Sequence, residues 1–215
     1  MYRVILFDLD GTLTASGEGI TKCVQYALEK SGIHEPDLKK LECFIGPPLM
    51  EQFRIHANMS EEEARQAVVW YRERYSVTGI YENRPYEGIP RLLSDLKEHG
   101  YILGVASSKP EHYVLQILEH FHIIDAFSVI VGSEMNGQRT RKAEVIREAL
   151  RRLGPSISPC EVIMVGDKEH DVLGARECGI ECVCAGYGYG TEEELAAAQP
   201  LKIVRTVQEL ADFFF

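Results

Sequence analysis

The sequence contains no apolar run approaching the roughly 20 residues that cross a bilayer, no CxxC pair, no internal repeat and no low-complexity linker. The first absence argues against a helical membrane span. Basic residues are in deficit as well: 23 Lys and Arg face 33 Asp and Glu, a formal net charge of -10. A chain of that sign lacks the basic patches that hold nucleic-acid polymers or anionic membranes. A small anionic substrate is still compatible with it, because a bound metal and one or two lysines override the overall field locally. The opening apolar stretch is too short for a secretory signal and ends in aspartates. The six cysteines, Cys23, Cys43, Cys160, Cys178, Cys182 and Cys184, are scattered. Cys178, Cys182 and Cys184 come nearest to a ligand set, but zinc sites favour ligands paired closely in turns. Cys182 and Cys184 instead alternate along Ile180–Cys184, as small buried hydrophobes on a strand do. Free thiols without a leader lead to the expectation of a reducing cytoplasm.

What is present is ordinary for a globular protein: 215 residues, 45% hydrophobic and 26% charged. That length suits one domain with a large insertion or two modest domains. Strand-like runs are expected at Arg3–Phe7, Tyr101–Ala106, Phe127–Val131, Glu161–Val165, Cys182–Ala185 and Lys202–Val204. From Tyr101 onward helical patterns separate them, at Glu111–Phe121, Arg141–Leu153, His170–Cys178 and Thr191–Ala198, and a last helix covers Val207–Phe215. Such alternation predicts an α/β fold, a parallel sheet with helices on both faces. The stretch from Gly17 to Arg84 differs: it is dense in helix formers, with candidate helices at Glu18–Ser31, Glu35–Leu41, Leu49–His56 and Ser60–Tyr75. It reads as an inserted α-helical cap domain over 17–84, leaving 1–16 and 85–215 as the core. Another helix, Ile89–His99, leads back into the core. Linkers at Ala15–Gly17 and Asn83–Gly88 would let the cap open and close; a proline at Gly17 or Gly88 is expected to slow turnover and spare the fold.

Four expected strand ends carry polar residues. The first is Asp8-Leu9-Asp10-Gly11-Thr12 after Val4-Ile5-Leu6-Phe7. Side chains two apart on extended chain share one side, so Asp8 and Asp10 should occupy one space, and their like charges call for a cation or a shared proton. The second is Ser107-Ser108-Lys109-Pro110, where hydroxyls stop an apolar strand before a helix that begins at Pro110; free amides at such a start cradle anions. The third is Arg139-Thr140-Arg141-Lys142, basic residues that oppose the dipole of the helix they open. The fourth is Gly166-Asp167-Lys168-Glu169-His170-Asp171. Ligands in open α/β sheets bind beyond the carboxyl ends of the strands, so all four can converge. Gly186-Tyr187-Gly188-Tyr189-Gly190-Thr191 is not a dinucleotide fingerprint, since its spacing fails GxGxxG and it follows the fifth strand. It reads as a glycine loop at the rim.

Asp8-x-Asp10-Gly11-Thr12, Ser107, Lys142 and Gly166-Asp167-x-x-x-Asp171 resemble, in order, the four motifs of the haloacid dehalogenase-like superfamily. The cap position, together with Gly132-Ser133-Glu134-Met135-Asn136-Gly137 before Arg139 and Lys142, is similar to the phosphoglycolate phosphatase and 5′-nucleotidase branch. The resemblance implies a Rossmann-like core and a phosphatase acting on a small phosphorylated metabolite; from the charge and the lack of a long apolar run no nucleic-acid polymer and no membrane are expected as partners, and a monomer or homodimer is expected. By the same resemblance Asp8 is the nucleophile and Asp10 the acid/base. Mg²⁺ is held by Asp8, the Asp10 carbonyl and Asp167, with Asp171 in support, and Ser107, Ser108, Lys142, Gly11 and Thr12 serve the phosphoryl group and its turn. Phe44, Ile45, Gly46, Pro47 and Arg54 of the cap are the specificity candidates. A β-phosphoglucomutase-like phosphomutase uses the same four motifs, and a non-catalytic module of the same fold is the remaining alternative.

Overall fold

The computed structural model describes residues 2–215. By contact density the chain divides into two compact units. One is formed by the residues up to Thr14 together with Pro85–Phe215, the other by Ala15–Arg84.

The first unit is built on β1 (Val4–Phe7), whose four residues are all buried. Val4 and Leu6 point into a cluster with Val145, Ile146, Ala149, Val172 and Ala175. Ile5 and Phe7, pointing the other way by strand alternation, are equally buried. A strand covered on both faces needs no polar residue until it ends, which is why the first acid is Asp8. The remaining strands are β2 (Ile102–Pro110), β3 (Val129–Ser133), β4 (Val162–Gly166), β5 (Glu181–Ala185) and β6 (Lys202–Val204). Among the described residues they form one sheet in the order β3-β2-β1-β4-β5-β6, and the pairs are parallel. Neighbours β1 and β4 lie on either side of the point where the winding reverses, the place where a crevice opens at the carboxyl ends. Cys182 and Cys184 belong to the apolar cluster on one face.

Helices α4 (Ile89–Glu98), α5 (Glu111–His120), α6 (Lys142–Leu153), α7 (Glu169–Glu177), α8 (Glu192–Ala198) and α9 (Val207–Phe214) complete this unit. Two details depart from the sequence reading. The strand β2 does not stop at Ala106; it continues through a register shift to Pro110, which pairs with Ser133. Pro110, at φ -52° and ψ 128°, is therefore the extended residue before α5 and not its first turn. Gly88 precedes α4 at φ 89°. Proline is locked near -65°, so Gly88→Pro would damage the fold, and the expectation that this substitution spares it is withdrawn.

The second unit contains α1 (Gly17–Lys30), α2 (Leu49–His56) and α3 (Glu61–Arg74). The expected helix Glu35–Leu41 is instead a 3-10 segment over Leu38–Phe44. Pro36 precedes it, and the Asp37 carboxylate accepts from the Lys39 N–H, so the turn begins later than composition alone suggests. Ser60 and Glu63 cap α3 reciprocally. Beyond Arg74 the backbone widens into a π-turn, Tyr75–Gly79.

Candidate active site

Asp8 follows β1 directly, its N–H donating to the Val165 carbonyl at 2.8 Å. Gly11, at φ 84°, turns the chain back, and the Leu9 carbonyl accepts from the N–H groups of Leu13 and Thr14 at 3.0 Å each. A side chain at Gly11 would be strained in that left-handed conformation. The turn leaves Asp8 and Asp10 buried together.

Lys142, the first residue of α6, reaches the same spot. Its Nζ lies 2.7 Å from Asp8 Oδ1 and 2.8 Å from Asp171 Oδ1, and donates to the Ala106 carbonyl at 3.0 Å. The ammonium thus has one hydrogen bond to a carbonyl and ion pairs with two carboxylates. Burial works against the Lys142 charge, but Asp171 and Asp8 overcome it and hold the ammonium above its ordinary pKa. Asp171 is held from the other side as well: its Oδ2 accepts from the N–H groups of Asp167 and Lys168 at 3.1 and 3.0 Å. A carboxylate so engaged anchors the start of α7 and orients Lys142.

Asp167 Oδ2 accepts from the Tyr189 N–H at 2.7 Å, while its buried Oδ1, like Oδ1 of Asp8, Asp10 and Asp171, has no hydrogen-bond partner. Carboxylate oxygens of Asp8, Asp167 and Asp171 lie within 4.8 Å of one another. Burial, and then the charges of Asp171 and Asp8, push Asp167 well above the usual carboxylate range. Burial likewise lifts Asp8 to about 6, with Lys142 opposing and Asp171 and Asp10 adding to the rise. With Asp10 there are four buried carboxylates, and the two lysines that touch them, Lys142 and Lys109, leave an excess of negative charge. That excess, the oxygen-only donor set and the unpartnered Asp167 Oδ1 suit a hard divalent cation.

Lys109 is the residue that sequence reading left without a role. Its Nζ lies 2.6 Å from Asp10 Oδ2, both side chains being 8% exposed. Ser107, also buried, accepts from the Lys109 N–H through Oγ at 3.3 Å. The extension of β2 past Ala106 makes this possible, and an expected helix start at Pro110 hid it. Asp10 Oδ1 has no hydrogen-bond partner. Ser108 is half-buried, and Thr12 is buried with its carbonyl accepting from the Tyr187 hydroxyl at 3.1 Å. The structure therefore brings Asp8, Asp10, Ser107, Lys109, Lys142, Asp167 and Asp171 to one end of the sheet. Arg139 donates to the Gly132 carbonyl at 2.8 Å, a loop contact, and His170 is exposed on α7.

The cap candidates lie in the second unit. There Phe44 packs against Phe53, ring centroids 5.1 Å apart, and against His56 at 5.7 Å. Ile45 is buried, Gly46 turns the chain at φ 103°, Pro47 is half-buried and Arg54 is exposed.

Comparison with known proteins agrees with this geometry. The family model for haloacid dehalogenase-like hydrolases matches residues 5–185. A 5′-nucleotidase of Pseudomonas aeruginosa is 50% identical over 199 residues, 93% of this chain and 89% of that protein. Tyrosine-protein kinase PtkA of Mycobacterium tuberculosis is 42% identical over 188 residues, 87% of this chain but 63% of that protein. The crystal structure of a predicted phosphatase from Clostridium acetobutylicum superposes with a TM-score of 0.96 at 44% identity, covering 100% of this chain and 98% of the other. The chain belongs to the haloacid dehalogenase-like hydrolases and is a phosphatase of that family. Among the described residues no helix is long and apolar enough to cross a membrane.

Proposed function

We propose that this protein is a Mg²⁺-dependent phosphatase that hydrolyses a small phosphomonoester, foremost a nucleoside 5′-monophosphate, through an aspartyl-phosphate on Asp8. The observation that carries the reading is the pairing of Asp8 with Lys142 at 2.7 Å, with Asp10 beyond it and Asp167 Oδ1 unpartnered. The preference for a nucleotide follows the relative at 50% identity; phosphoglycolate is the next candidate, since a phosphoglycolate phosphatase of Pseudomonas aeruginosa is 26% identical.

In the first step a carboxylate oxygen of Asp8 attacks phosphorus, the bond from phosphorus to the ester oxygen breaks, and Asp10 delivers a proton to the departing alcohol. In the second, Asp10 takes a proton from water as the water oxygen attacks phosphorus, releasing phosphate and the Asp8 carboxylate. Lys109 occupies Asp10 Oδ2, so the proton is exchanged at Oδ1. Lys142 orients Asp8 and offers positive charge to the phosphoryl oxygens, with the Ser107 hydroxyl and Ser108 amide beside them. Asp8, the Asp10 carbonyl and Asp167 are the groups that would hold the cation, and Asp171 keeps Lys142 and the start of α7 in place. Bound there, Mg²⁺ supplies charge neutralisation for the phosphoryl group.

The test is a panel of nucleoside monophosphates, phosphoglycolate, sugar phosphates and pyrophosphate assayed for free phosphate, with and without Mg²⁺. The expected result is release that needs the metal, favours a nucleotide and disappears in Asp8→Asn; full activity in that variant overturns the nucleophile. Conversion of a sugar 1-phosphate to the 6-phosphate without free phosphate would favour a mutase instead. The relationship to a tyrosine kinase motivates a second arm with ATP and a tyrosine peptide: phosphopeptide without free phosphate would favour transfer over hydrolysis.

A further inference from the structure

The glycine loop after β5, Gly186–Thr191, is absorbed neither by the fold nor by the reaction steps above, yet it leans on the acidic end of the sheet. The Tyr189 N–H donates to Asp167 Oδ2 at 2.7 Å. The Lys168 Nζ donates to the Tyr189 carbonyl at 3.2 Å, so the two peptide groups that flank Tyr189 are each held. At Gly188 an added Cβ would stand 2.4 Å from Asp167 Cβ, 2.4 Å from the Gly11 carbonyl oxygen and 2.6 Å from Asp167 Oδ2. At Gly190 it would stand 2.0 Å from the Asp167 carbonyl oxygen. The Tyr187 hydroxyl donates to the Thr12 carbonyl at 3.1 Å, and its ring meets Tyr86 edge-on at 5.0 Å. The loop is thus fastened to the turn after β1 on one side and to the start of α7 on the other, with Asp167 between.

We propose that this loop sets the metal affinity of the site, by occupying Asp167 Oδ2 with the Tyr189 N–H and by confining the carboxylate through the bare backbone of Gly188, so that Oδ1 remains presented to the cation. Gly188 and Tyr189 are positioning residues; neither touches substrate in this role. Two glycines are required because the loop backbone lies where side chains would otherwise stand. A carboxylate with one oxygen fixed by a peptide N–H has a set orientation before the ion arrives. Groups that orient ligands in this way change affinity by roughly 10–100-fold when lost.

The inference rests on the Mg²⁺ reading, and the experiment separates the two. Metal affinity is measured without substrate, by calorimetry with Mg²⁺ and by spin-resonance competition with Mn²⁺, for the wild type, Gly188→Ala, Tyr187→Phe and Ser60→Ala. Ser60→Ala removes a helix cap in the other unit and controls for general destabilisation. The expected result is saturable binding by the wild type and Ser60→Ala, affinity at least about tenfold weaker in Gly188→Ala, and a smaller loss in Tyr187→Phe. Wild-type affinity in both loop variants overturns the inference and leaves the Mg²⁺ reading standing; no saturable binding by the wild type overturns both. Should Gly188→Ala fail to fold, the amide resonance of Tyr189 in the wild type decides. It is expected to shift on adding Mg²⁺ and to resist hydrogen exchange, and an amide unmoved by saturating metal overturns the inference.

Discussion

Asp8 is a carboxylate in a place that disfavours its charge. Burial raises it from 3.8 to about 6, and Asp167 shifts in the same direction. The stabilisation that goes with a raised carboxyl pKa is fully present below the unfolded value and is lost as pH rises through the folded one. Metal-free protein should therefore lose the stability that comes from Asp8 between about pH 4 and pH 6. A cation that competes with those protons should stabilise more as pH rises through the same window. Differential scanning calorimetry across that range, with Mg²⁺ and with chelator, checks it; a Mg²⁺-induced rise in Tm that is the same at both ends contradicts the assignment. Lys142→Ala removes the shared partner of Asp8 and Asp171 and should cost about 3–5 kcal/mol near neutral pH, partly regained on acidification, by denaturant unfolding. Lys109→Ala should lower kcat by about tenfold to a hundredfold, less than the roughly 10²–10⁴ of losing an acid/base group outright, with little change in KM. A pure KM effect would place Lys109 on substrate binding instead of on Asp10. Lys109 was legible only as part of a Ser-Ser-Lys-Pro stop, because its partner is 99 residues away. Asp8, Asp10, Lys142 and Asp167 stood out because acids and a lysine sit where buried strands and a helix begin or end.

Elements whose limits are written by local chemistry were read closely. Leu49–His56 begins after Gly-Pro-Pro and occupies the expected residues, and α3 starts one residue after its capping serine. Ser60→Ala should lower stability by about 1 kcal/mol and leave turnover unchanged, measured by urea unfolding beside steady-state kinetics. Limits set by tertiary pairing were not legible. Nothing local in Ser107–Pro110 announces that Ser133 of β3 will extend β2. The expected helix ends at Tyr75, and nothing local announces that the backbone over Tyr75–Gly79 forms a π-turn.

At the scale of the molecule, sequence alternation was enough for a parallel sheet, since each apolar strand is followed by a helix with one apolar face. The strand order was not legible from alternation; it comes from the reversal that puts β4 on the far side of β1 from β2. That reversal brings motifs from four distant segments to one end of the sheet, where ion pairs at 2.6–2.8 Å join Lys109 to Asp10 and Lys142 to Asp8 and Asp171. On this reading the residues that carry the chemistry all belong to the first unit. The most direct test is to quench turning-over enzyme in acid and map its peptides by mass spectrometry. The account predicts a phosphoryl adduct on Asp8 that forms only with substrate and is absent from Asp8→Asn. Active enzyme that carries the adduct on another residue, or none under any quench time, would contradict it.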